Sequence, residues 1–268
     1  MLRSGRPRHW SRWLYRIQWL LLIIIGLVIV AVRLHLLGLK PAYTLFQAAG
    51  LAAIGVALAS MLVFLWGLVK RHSEARTAAL WAMVLGLIPV AVPLFTVGQQ
   101  NLSAPAIYDI STDLESPPEY DQVLSLRREG DHSPAYPGAT TARVQRSTPA
   151  YKDIQPLILP VPPGKVMAHA EAVARELGWR VIAVQVGKGK LEAVDRTPIL
   201  GISEDIVVRV RPLDSKSELG KGQAQSVSIQ SRVDMRSASR SGEGDLGSNA
   251  QRIRTFLGKL RERVELAQ

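Results

Sequence analysis

A chain of 268 residues, 47% of them apolar, with 33 lysines and arginines against 22 acids and no cysteine, has room for a membrane part and one folded domain. Up to Gln100 there are ten basic residues and one acid, Glu74, so +9 of the formal +11 flanks apolar runs and only +2 lies beyond, which argues against nucleic-acid binding. Without cysteine there is no thiol nucleophile, disulfide or cysteine-based zinc set.

Residues 1–16 form a basic tail with Arg3, Arg6, Arg8, Arg12 and Arg16. Three apolar runs follow within residues 17–99: roughly Ile17 to Leu39, Tyr43 to Val69 and Ala78 to Val97. As helices rising ~1.5 Å per residue, each can cross a hydrocarbon core of ~30 Å. The first run follows basic residues, as a signal peptide does, but no small-x-small cleavage site comes after it and two further spans do; it is expected to be retained. Lys70, Arg71 and Arg76 separate the second and third spans, while the loop between the first two offers only Lys40. The positive-inside bias therefore places the N-terminus in the cytoplasm. Three crossings then put the remainder outside, in the periplasm of a Gram-negative cell, with the protein multi-pass in the plasma (inner) membrane. The lack of cysteine is compatible with that oxidising space.

Arg33 and His35 lie near the outer end of the first span, where a long basic side chain reaches the headgroups and anchors the helix. Ala49, Ala53 and Ala57 give the second span a small face for close helix approach, which makes it the expected central packing helix. Pro89 and Pro93 share one face of the third span and are expected to kink it. No charged relay crosses the spans, which argues against a transporter.

Residues 100–163 hold ten of the 16 prolines and few helical periodicities, and read as a long irregular strap or linker. Within it "AIYDISTDLESPPEY" has a strand-like start and then Asp109, Thr112 and Asp113. These read as an Asx- or Ser/Thr-type turn docked on the domain, or as an acidic site. The soluble domain, residues 164–268, opens on a helix in which Val166, Ala170, Val173, Ala174 and Leu177 share a face and Gly178 is the stop. Four strand-like runs follow, Trp179 to Val186, Lys190 to Thr197, Asp205 to Arg211 and Ser226 to Arg236, with "VGKGK" and "DSKSELGKGQ" as hairpin loops. A last helix collects Ile253, Phe256, Leu257, Leu260 and Val264. The expected fold is membrane-anchored α+β, with three transmembrane helices and then a four-stranded antiparallel sheet carrying two helices on one face. Alternation makes the other face a wet field of opposite charges: Asp205, Arg209, Arg211, Arg232, Asp234 and Arg236.

"DIVVRVRP", "VDMRSASRSGEGDLGSNAQRIRTF" and "IYDISTDLESPPEY" together resemble the bacterial and plant family catalogued as domain of unknown function 1499. The resemblance spans most of Asn101 to Leu266 and is densest from Asp234 to Phe256. It implies a form of that family with three N-terminal spans, supports the domain boundary, and carries no established activity.

Direct search for chemistry returns mostly negatives. His132 and His169 are the only histidines after Gln100, no "GxSxG" elbow is present, and "GKGK" lacks the spacing and trailing Ser/Thr of a phosphate loop. The stretch "RSASRSGEGDLGSNAQRI" is the strongest candidate for a site. Arg236, Ser239, Arg240, Asp245, Asn249 and Arg252 lie between a strand end and a helix start, where free amides, the helix dipole and guanidinium forks can hold an anion. In the competing internal account Asp245, or Ser248 with Gln251, caps the helix, Asp234, Glu243 or Asp205 pairs the arginines, and Asn249 ties the turn to the strand. The leading functional reading is a non-catalytic binding or interaction module at the cell envelope, without cofactor or metal. The alternative is a hydrolase-like enzyme acting on an anionic envelope substrate. The bilayer is the expected partner, with an envelope protein or anionic ligand besides.

Overall fold

The computed structural model describes residues 10–97, 105–213, 230–242, 244 and 247–267. The chain divides into two compact units, Met1–Gln99 and Gln100–Gln268.

The first unit is three helices, α1 (Arg12–Arg33), α2 (Leu39–Val69) and α3 (Ser73–Val97), each containing a stretch long and apolar enough to cross a membrane. α1 and α2 close in the same way. His35 and Arg71 take left-handed φ of 58° and 53°, and Leu36 and His72 donate backward to Ala31 and Gly67 at 2.8 Å, the six-residue closure usually given to glycine. α3 runs as continuous helix through Pro89 and Pro93.

Small residues make the helix contacts, because a bilayer gives no hydrophobic drive between helices and close approach must supply the attraction. Ala42, Ala49, Ala53, Ser60 and Gly67 are buried on α2, and Ala75, Ala79 and Ala82 on α3. Gln18 of α1, fully buried, donates from Nε2 to the Ala53 carbonyl at 2.8 Å. A Cβ on Gly86 of α3 would fall 2.8 Å from Ala57 Cβ and 3.0 Å from Ala53 O and would overlap Gln18 Nε2, so the three helices meet there at backbone distance. Gly86→Leu should therefore cost on the order of 1–3 kcal/mol by overpacking. Thermal melts of the detergent-solubilised chain, followed by far-UV circular dichroism, check this; an unchanged midpoint would refute the junction.

The second unit orders its elements as β1 (Asp109–Ser111), α4 (Ala139–Ser147), β2 (Leu157–Leu159), α5 (Pro163–Glu176), β3 (Arg180–Gln185), β4 (Lys190–Arg196), β5 (Ser203–Leu213), β6 (Gln230–Ser239) and α6 (Ser248–Glu265). All described pairings are antiparallel, in the order β1–β6–β5–β4–β3, with β2 also on β6. The sheet has six strands, not the expected four. β1 and β2 come from the proline-rich strap and lie end to end along the free edge of β6, Asp109 opposite Ala238 and Leu157 opposite Val233. At three residues each they are too short to show alternation in a sequence. The loop "DSKSELGKGQ", Val227 and Ile229 lie outside the described residues.

α5 and α6 build the main core. Val166, Met167, Ala170 and Val173 of α5 and Ile253, Phe256 and Leu260 of α6 are fully buried with Leu191, Ile206, Val208, Val233 and Met235 of the sheet. Trp179 stacks on Phe256 with ring centroids 5.1 Å apart. α5 ends where Gly178 turns at φ 77° and Trp179 donates back to Ala174 at 3.0 Å.

The opposite face is not the wet one that alternation predicts. Residues 112–136 fold over it, and Tyr120 and Val123 pack on Val207 and Ala238 as a second small core. Asp109, Asp205, Asp234, Arg236 and Arg240 are thereby buried; the Asp109–Arg236 and Asp205–Arg240 pairs are interior ion pairs, while Asp234 is met by the partly exposed Arg209, Arg211 and Arg232. Alternation reports only that a face is polar; whether chain from elsewhere covers it is a tertiary matter.

Candidate functional site

The stretch singled out in the sequence runs from β6 into α6. Strand alternation divides its residues between the two faces of the sheet.

Arg236 and Arg240 point to the strap side. Arg236, 1% exposed, grips Asp109 with Nε on Oδ1 at 2.9 Å and Nη2 on Oδ2 at 2.7 Å. Its Nη1 reaches Pro118 O at 3.2 Å and its Nη2 also Pro134 O at 2.9 Å. The guanidinium lies 4.5 Å from the Tyr120 ring centroid and 5.4 Å from that of Tyr136. Burial pushes the Asp109 carboxyl above its ordinary value, and the opposing pull of Arg236 does not fully offset it. Burial likewise lifts the Tyr136 phenol to about 12. Arg240 donates Nε and Nη2 to Asp205 Oδ1 at 2.9 and 2.7 Å and Nη1 to Leu126 O at 2.7 Å; Arg127 holds the other oxygen of Asp205 at 2.8 Å. Tyr120 adds its hydroxyl to Asp205 O at 3.1 Å. His132 lies against Tyr108 with ring centroids 3.9 Å apart and planes tilted by 32°, and its Nδ1 is 3.0 Å from Ser239 O.

Ser239, Asn249 and Arg252 gather on the helix side around a carboxylate that the sequence did not single out, Glu204. Its Oε1 accepts from Ser239 Oγ at 2.9 Å and Ser248 Oγ at 2.7 Å, and its Oε2 accepts from Arg252 Nη2. Arg252 also reaches Asp195 at 3.0 Å and Asn249 Oδ1 at 3.1 Å. Asn249 Nδ2 donates to Tyr108 O and to Ser239 Oγ at 3.0 Å, tying α6 to β6 and to the chain before β1. Glu204 thus brings a fully buried internal carboxylate to the first residue of α6 and to Arg252, the place where the motif offered to hold an anion. The helix N-cap is Gly247, at φ 78°. Ser248 is already the first helical residue and Gln251 bonds Thr255, so the Ser248–Gln251 capping box is not formed. Glu243 and Asp245 lie outside the described residues.

The upstream acids are brought to β6 as well. Thr112 extends the β1 pairing, exchanging its amide and Oγ1 with Met235 at 2.9 Å each. Asp113 Oδ1 accepts the amides of Glu115 and Ser116 at 3.1 and 2.9 Å, an Asx-type turn. Its Oδ2 receives Arg209, Arg211 and Arg232, and the fully buried Asp234 receives the same three. Burial raises the Asp113 carboxyl, but the two amides, with Arg232 and Arg209, more than offset this and leave it below its ordinary value.

Each buried carboxylate described here therefore has at least one guanidinium. Arg127, Glu204, Asp195 and Tyr120 are the partners that sequence reasoning did not assign, whereas Arg209 already stands with Asp234 in the charged field that alternation predicts. One signal was available for Glu204: in a strand it and Asp205 must face opposite sides, one toward each polar group. Among the described residues no three His, Asp or Glu side chains are grouped to hold a metal ion. Two clefts, of about 240 and about 230 Å³, open beside the strap and beside α6.

No curated protein matches the sequence. The family model described as protein of unknown function (DUF1499) matches residues 109–260, more than half of the chain and all six strands, and the chain belongs to that family.

Proposed function

We propose that the protein is a membrane-anchored, non-catalytic binding or interaction module whose α+β domain lies on the extracytoplasmic side of the plasma membrane, at the cell envelope. The observation that carries the reading is the commitment of the buried polar groups. Asp109, Asp205, Asp234 and Glu204 are ionic partners of Arg236, Arg240, Arg209 and Arg252 inside the fold. A general acid, base or nucleophile needs a free valence facing substrate; these groups spend theirs on one another. The arginines and acids of the family-matched region accordingly build a rigid platform, and its outer surface meets the partner.

Orientation follows from the basic flanks of the spans. A reporter enzyme fused after Gln268 should be active only when it requires the extracytoplasmic side, and activity of a cytoplasm-dependent reporter at that position would overturn the placement. Native mass spectrometry of the protein released gently from its membrane should retain a bound partner or ligand, unchanged on incubation.

A further inference from the structure

We propose that the cleft between the strap and the β3–β4 hairpin binds a phosphate-type oxyanion, carried by a lipid headgroup or by free phosphate. This rests on the reading of the domain as a binding module and names the chemistry of its ligand.

The hairpin tip "VGKGK" is no phosphate loop, since it lacks the run of amides that such a loop presents. It contributes side chains. Val186–Lys188 forms one 3-10 turn, and Gly189, at φ 59°, reverses the chain into β4. Any Cβ at Gly189 would overlap the Val210 carbonyl oxygen, and the Gly189 carbonyl accepts the Val210 amide at 2.7 Å, so the tip is pinned against β5. That fixed turn places Lys188 and Lys190 on the same cleft of about 240 Å³ as Arg209, with Val207 and residues 116–119 completing the lining.

The three cations are unequally committed. Lys190 Nζ sits 2.9 Å from Glu192 Oε1, whose other oxygen accepts the amides of Asp121 and Val123. Arg209 makes its hydrogen bonds to Asp113, Asp234 and Ser116 O through Nη2 alone. Among the described residues Lys188 pairs only with Asp121, at 3.9 Å, with its side chain 69% exposed, a contact too long and too wet to hold it. Behind Arg209, the guanidiniums of Arg209, Arg211 and Arg232 share the two carboxylates Asp113 and Asp234. Two ammonium groups and a guanidinium on one opening, from the hairpin turn, β4 and β5, suit a tetrahedral oxyanion with three acceptor oxygens better than a planar carboxylate with two. Glu119, exposed, is the one acid on the lining among the described residues and opposes the charge of the ligand.

The test uses the full chain in nanodiscs of zwitterionic phosphatidylcholine, with hydrogen exchange of the Val186–Lys190 turn as the readout. One arm adds inorganic phosphate at constant ionic strength against chloride; the other builds phosphatidylglycerol into the bilayer without phosphate. Protection in either arm supports the site, and which arm gives it identifies the source. Lys188→Gln should weaken the protecting ligand by about tenfold, as for one lost charge-assisted hydrogen bond. Lys188→Arg should restore binding and Glu119→Gln should tighten it. Both side chains are solvent-facing, and unchanged exchange of α6 verifies the fold. Protection in neither arm, or protection indifferent to Lys188→Gln, overturns the proposal. Phosphate release from p-nitrophenyl phosphate that disappears with Lys188→Gln would support the site yet overturn the non-catalytic reading, so the two failures are distinguishable.

Discussion

Arg236→Ala should destabilise the domain by about 3–5 kcal/mol at about pH 7, because it strands Asp109 as a buried charge while removing the donors for Pro118 O and Pro134 O. The pH dependence isolates the cause. Burial already holds the Asp109 carboxyl above its ordinary value against the pull of Arg236, and without the guanidinium it must rise further. A carboxyl whose folded pKa is raised contributes stability that is fully present below its unfolded pKa of ~3.9 and lost as pH rises through the folded value. The deficit of the variant relative to the parent should therefore shrink between about pH 7 and about pH 4. Urea unfolding of both proteins at the two pH values measures it. A deficit that is the same at both would place the cost somewhere other than Asp109. Adding Asp109→Asn to the variant should recover part of the loss at neutral pH and abolish its pH dependence.

Phe256→Ala should cost about 3–5 kcal/mol, the range for deleting a buried aromatic ring from a core that cannot close around the space. Phe256 is fully buried and stacks on Trp179, which sits directly after the Gly178 turn closing α5. One ring thus joins both helices to the same sheet face. Hydrogen exchange of the full chain should show the amides of α6 and of the α5 C-terminus opening together, with the membrane helices unaffected. Unchanged exchange in α6 would mean that the helix does not depend on this contact.

How much of this was legible depends on element length. α5, α6 and the strands β3 to β6 announce themselves because each repeats its apolar period several times, as with Val166, Ala170, Val173 and Ala174 or Ile206, Val208 and Val210. β1 and β2 have no room for a repeat, so the proline-rich segment reads as a linker although it supplies the edge of the sheet and the cover of one face. Of the candidate residues, Arg236, Ser239, Arg240, Asn249 and Arg252 are held in ordered polar groups, but they do not form one group. The period of two in β6 separates Arg236 and Arg240 from Ser239, and their carboxylates come from more than 30 residues away in sequence, Asp109 for Arg236 and Asp205 for Arg240. Partners that distant leave no local pattern.

The pairing of Asp109 with Ala238 also sets the order in which the domain can be made. The strap is synthesised first, yet the strand it must join is nearly the last element to appear. At a synthesis rate of ~5–20 residues per second, the chain that precedes α5 waits on the order of ten seconds before β6 exists. During that interval Asp109 has neither the strand that pairs with β1 nor Arg236, and Asp113 lacks Arg232, while β3, β4 and β5 can already form local hairpins. Closure of the domain is consequently a late, non-local event governed by loop entropy, and truncations that remove β6 should leave the strap undocked even when it is intact.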